Sequence, residues 1–112
     1  LTEVQRQSPE AGAVSAWLEL NAFIADGPPP QALQDMLQKW PDDLEAGFRL
    51  AIWRLLAGDA EASVADLLAI MQKDRQFRDD GARKALLLVF DYLGASHPLV
   101  RKARGRMAML LN

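Results

Sequence analysis

Asp79 and Asp80 stand side by side, about one helical turn ahead of Arg83 and Lys84. Two carboxylates can share acid–base work only if both reach one reacting atom, and adjacent residues at a helix start point in different directions. The spacing suits a helix N-terminus instead, where carboxylates answer unpaired backbone N–H groups and the basic pair one turn on supplies ion-pair partners. His97 is the single histidine and cysteine is absent. A metal site would therefore have to be built from carboxylates alone, and disulfides and thiol chemistry are excluded within this sequence. Directly before Pro98, His97 reads as a surface residue at a helix start. Ser8, Ser15, Ser63 and Ser96 have no His–Asp company to activate a hydroxyl, and the glycines are isolated rather than grouped into a phosphate loop. The expectation is a non-enzyme with no cofactor.

Arg101, Lys102, Arg104 and Arg106 form the other charged cluster. Basic clusters can track nucleic-acid phosphates, but these cations share one short helix near a C-terminus, where they favour the helix dipole, and the whole chain is acidic with a net charge of −2. Nucleic acid is not expected as a partner. The charge is uneven: residues 1–40 carry −3, residues 41–72 carry −4 and residues 73–112 carry +5. An acidic body ends in a basic third.

The elements that must position these groups are helices. Apolar residues recur at helical spacing at Leu33, Met36, Leu37 and Trp40, and at Leu44, Phe48, Ala51, Ile52 and Leu55. Further stripes follow at Val64–Leu67–Leu68–Met71, at Ala82–Ala85–Leu86–Val89–Phe90–Leu93, and at Leu99–Ala103–Met107–Leu110–Leu111. Breakers and caps divide the stripes into about six helices. Ser8 before Pro9 opens the first, the Gly27–Pro30 run makes the first turn, and Asp42 with Glu45 reads as a capping box for the third. Gly58–Asp59 separates the third from the fourth, Asp79 or Asp80 opens the fifth, Gly94 ends it, and Ser96 or His97 with Pro98 opens the sixth.

At 112 residues, half of them apolar, one domain with one core is expected over residues 1–112. No stretch approaches the roughly 20 apolar residues that a membrane span requires, so no membrane partner is expected. The chain begins with Leu1 rather than Met, and it is read as a piece of a longer protein whose residues 1–8 are a linker or tail.

Gly27, Gly58 and Gly94 lie 31 and 36 residues apart, bracketing the 34-residue period of tetratricopeptide helix pairs. In the middle unit Ala51 and Ser63 are small where two helices approach, and Leu67 and Ile70 are large where the next pair packs. An up-down helical bundle with short loops can present similar periods. The residues from Pro41 onward resemble the C-terminal tetratricopeptide region of YbbN-type thioredoxin-like co-chaperones, the chaperedoxins. The resemblance is carried by Leu50–Ala51 with Leu55–Asp59, by Leu67–Met71, by Asp74–Arg75 with Asp79–Asp80 and Ala82–Lys84, by Phe90 with Leu93–Gly94, and by Pro98–Arg101 with Arg104, Arg106 and Leu110–Leu111. Residues 1–40 match only in helical pattern, which leaves open whether they form a repeat or a linker helix.

The resemblance implies an all-α fold of three antiparallel helix pairs in a short right-handed solenoid, beside a thioredoxin-like domain that lies outside this chain. It implies binding of unfolding clients and of the DnaK and GroEL machinery in the bacterial cytoplasm. Candidate protein-binding residues are Arg49, Trp53 and Arg54 on the helix type that lines the concave face, with Arg101, Arg104, Met107 and Leu111 on the last helix. The alternative is a helical dimerisation or scaffold domain, and the isolated chain is a candidate homodimer.

Overall fold

The computed structural model describes residues 9–111, with side-chain surroundings given from Ala11. The Ser8 start and the 1–8 linker lie outside the described residues. Six helices follow in order: α1 (Pro9–Ala22), α2 (Pro30–Lys39), α3 (Leu44–Leu56), α4 (Ala60–Lys73), α5 (Gly81–Leu93) and α6 (Pro98–Leu111). Among the described residues there is no strand, and the architecture is an all-α helical-repeat solenoid.

Local chemistry sets the boundaries. Pro30 occupies the first turn of α2, where a missing N–H costs nothing, and Pro29 ahead of it is extended. The cap of α3 is Asp43, whose carboxylate accepts from the Ala46 N–H at 3.1 Å, and not Asp42 as the capping-box spacing suggested. Asp42 instead takes an ion pair from Lys73 at 2.8 Å, joining the α2–α3 loop to the end of α4. Asp59 caps α4 by accepting from the Ala62 N–H. Gly58 and Gly94 close α3 and α5 with φ of 99° and 96°, a left-handed geometry that side chains resist. The only histidine serves α6, its Nδ1 accepting from the Leu99 N–H at 3.1 Å.

The start of α5 departs from ordinary capping. Arg78, Asp79 and Asp80 all have positive φ, of 51°, 54° and 66°, and the Asp80 carboxylate accepts no capping hydrogen bond from the helix N–H groups. The two carboxylates turn to the basic pair instead, Asp80 to Arg83 at 2.5 Å and Asp79 to Lys84 at 3.5 Å. Consecutive left-handed residues without glycine are costly and persist only where their surroundings hold them.

The most extensive packing is between α3 and α4, where Ala51 and Ser63 are both fully buried. Around this pair, α2 packs on α3, α5 on α4, and α6 on α4. One core runs through Phe48, Ile52, Leu67, Met71, Leu86, Val89, Phe90 and Val100, and a smaller cluster of Leu33, Ala46 and Leu50 seals α2 against α3. The first helix follows a different rule. Its main partner is α5 rather than its sequence neighbour α2.

Candidate protein-binding surfaces

By their order in the chain, α3 and α5 open the second and third helix pairs. α1 lies on α5 with Ala16 and Leu20 buried, and the turn after it carries Phe23 and Ile24 onto the start of α3. Phe23 meets Phe48 edge-on with ring centres 5.2 Å apart, and Phe48 meets Phe77 of the α4–α5 loop at 5.6 Å. Such edge-to-face pairs add to the burial of their rings.

Arg78 fastens this aromatic group. Its guanidinium carbon stands 5.7 Å from the Phe23 ring centre and 5.0 Å from that of Phe48, within cation–π range. The same guanidinium donates to both Glu45 oxygens, Nε at 2.9 Å and Nη2 at 2.7 Å, a fork matched to a carboxylate. Arg49 donates to Glu45 at 2.7 Å as well. The hydrogen bonds and charge of Arg78, with a smaller contribution from Arg49, hold the Glu45 carboxyl below its ordinary range, and Glu45 in turn raises the Arg78 guanidinium. Gly81 stands so close that a Cβ there would meet the Arg78 Cβ at 2.5 Å, so this glycine makes room for the left-handed run.

The residues expected in the groove fall into separate environments. Arg49 is engaged by Glu45 and lies over Gly27, where a Cβ would collide with its guanidinium. Arg54 is paired with Asp66 of α4. Trp53 is half-buried against the Leu33, Ala46 and Leu50 cluster that joins α2 to α3, with its indole nitrogen sealed from solvent and without a hydrogen-bond acceptor among the described residues. The three do not form an open aromatic–cation groove: two cations are neutralised and the indole packs between helices. A cleft of about 180 Å³ opens beside Arg54 and Asp66, floored by Leu37, Leu44, Leu50 and Ile70.

The last helix presents its residues differently. Val100, Ala103 and Met107 are buried, and α6 packs on α4. Met107 is 9 % exposed and belongs to the core rather than to an outer surface. Arg101, Lys102, Arg104 and Arg106 are exposed and make no ion pair among the described residues, while Arg104 rests 5.6 Å from the Phe90 ring centre. Met109 and Leu111 are exposed apolar residues at the end of the same helix.

Sequence reasoning did not single out Glu45 or Arg78 as a pair, because the two lie 33 residues apart. Arg78 stands in a charged loop whose pairing no local pattern signals. Among the described residues no group of three or more His, Cys, Asp or Glu is placed to hold a metal ion, and no helix is long and apolar enough to cross a membrane.

The family model for the tetratricopeptide repeat matches residues 24–112. The chain belongs to the tetratricopeptide repeat family, whose members are in general protein–protein interaction scaffolds rather than enzymes. No curated protein and no solved structure matches the chain.

Proposed function

We propose that the chain is the protein-interaction region of a YbbN-type thioredoxin-like co-chaperone, which in the bacterial cytoplasm holds unfolding clients and passes them to the DnaK and GroEL machinery. The observation that carries this reading is the outer face of α6, where four cations with no carboxylate partner among the described residues stand beside exposed Met109 and Leu111. Unfolded segments offer both apolar side chains and acidic groups, and a surface of mixed cationic and apolar character suits them without a covalent step. Arg101, Arg104 and Leu111 act in this contact directly, and Met107 acts by seating the helix.

The test is binding of purified GroEL and DnaK to the immobilised chain, together with suppression of aggregation of a chemically unfolded client. The R101E/R104E double variant is expected to weaken both at least tenfold with unchanged helicity. If the unsubstituted chain binds neither chaperone and suppresses no aggregation, the co-chaperone reading falls. A second reading, self-association, is favoured by Val14, Trp17 and Leu18, exposed together on α1, and sedimentation equilibrium measures it directly.

A further inference from the structure

α1 has the character of a ligand seated on the repeats. It bypasses α2, its neighbour in sequence, and docks on α5 about sixty residues further along. The family match begins at Ile24, so the repeat region counts from beyond the end of α1. Between α1 and α2 lies the Asp26–Gly27–Pro28–Pro29 segment, whose Pro29 is extended, a connection that lets α1 leave without unwinding α2. The contacts of α1 and of the turn after it run through apolar burial of Ala16, Leu20 and Ile24, and its Asn21 side chain bonds within α1, to the Trp17 carbonyl at 2.7 Å.

Its face away from α5 also differs from that of an ordinary surface helix. Val14 is 59 % exposed, Leu18 58 % and Trp17 44 %, so α1 is apolar on both sides. Ser15 and Glu19 of α1 are exposed as well, so the outer apolar group is a patch of three side chains that no other described residue covers.

We propose that α1 is an intramolecular occupant of the surface formed by α5 and the start of α3, and that a partner protein binds there by displacing it. The partner segment is an apolar helix with a small residue at one position and a large aliphatic four residues on, running into a turn with an aromatic and an aliphatic seven and eight residues on. That is the spacing of Ala16, Leu20, Phe23 and Ile24, and it places the aromatic ring on Phe48 beneath the Arg78 guanidinium. An occupant in cis lowers apparent affinity by the fraction of molecules in which the surface is open, so weakening α1 must tighten binding in trans. This holds whether or not the α6 face receives a chaperone, because the two surfaces use different helices.

The test uses a fluorescently labelled peptide reproducing residues 9–26, titrated by anisotropy with the full chain and with its Leu20→Ala variant. Hydrogen exchange on both chains follows residues 9–22 against α3 and α4. The expected result is at least tenfold tighter peptide binding to the variant, faster exchange confined to α1, and loss of binding for a peptide that itself carries L20D. Two outcomes overturn the proposal. Either the variant binds the peptide no better than the unsubstituted chain does, or Leu20→Ala strips protection from α3 and α4 together with α1, which would make α1 an inseparable part of the core.

Discussion

The two terminal helices have opposite outer surfaces. α1 buries Ala16 and Leu20 against α5 and turns Val14, Trp17 and Leu18 outward, whereas α6 buries Val100, Ala103 and Met107 and turns four cations outward. α6 comes nearer the rule for a capping helix of a solenoid, one apolar stripe inward and a cationic face outward, with Met109 and Leu111 exposed at its end. α1 does not. A further difference lies in what holds them: α6 is packed on α4 of the central pair, while the turn after α1 is fastened by Arg78 between Glu45 and two aromatic rings. One end closes the repeat stack, and the other lies across it.

The largest effect should come from the residue under the α1 turn that also belongs to the central pair. Phe48 is fully buried and meets both Phe23 and Phe77, so Phe48→Ala should cost about 3–5 kcal/mol and lower the thermal midpoint of every helix together, as followed by circular dichroism. A loss confined to α1 would instead make Phe48 part of the docking surface alone.

Next in size is Arg78→Met, which removes two hydrogen bonds to Glu45 and both cation–π contacts and should cost about 1–3 kcal/mol in urea unfolding. The pH dependence follows from the lowered Glu45 carboxyl. A group depressed in the folded chain stabilises it fully above its unfolded value, and that stabilisation disappears as pH falls through the folded value. The unsubstituted chain should lose stability on acidification below the ordinary glutamate range, and Arg78→Met should lose less over the same interval. Equal acid sensitivity of the two would show that the Glu45 pairing is energetically idle.

A smaller and opposite change is expected at Ser63, whose buried hydroxyl has no hydrogen-bond partner among the described residues. Ser63→Ala should be neutral or raise stability by up to about 1 kcal/mol, because it removes an unsatisfied polar atom at little change of volume. The smallest effect sharpens the contrast between the ends. Arg106→Gln on α6 should change stability by no more than about 0.5 kcal/mol in thermal unfolding, since this exposed cation has no ion-pair partner among the described residues to lose. A large loss there would make the α6 face structural rather than available.

Much of the fold was legible because helix boundaries are local. Pro30 at a first turn, Asp59 before Ala60, and Gly58 and Gly94 at closing turns each act within a few residues, and all stand where spacing placed them. The Asp42–Asp43 choice was less legible, since either carboxylate lies ahead of the helix. It was decided by Lys73, which is 31 residues from Asp42 and takes that carboxylate. The candidate site was read less well. Arg49 and Arg54 stood out as cations beside Trp53, but their partners Glu45 and Asp66 and the seat of the indole against α2 are matters of which face meets which.

Composition and period thus determined an all-α chain of repeat helices without thiol chemistry, because helical stripes, caps and breakers depend on neighbours along the chain. Only the tertiary structure decided that α1 docks on α5 and that Arg78 closes over Phe23 and Phe48, against Glu45. Those contacts join residues thirty or more positions apart, and packing chooses among many apolar faces and opposite charges that one-dimensional spacing leaves equivalent.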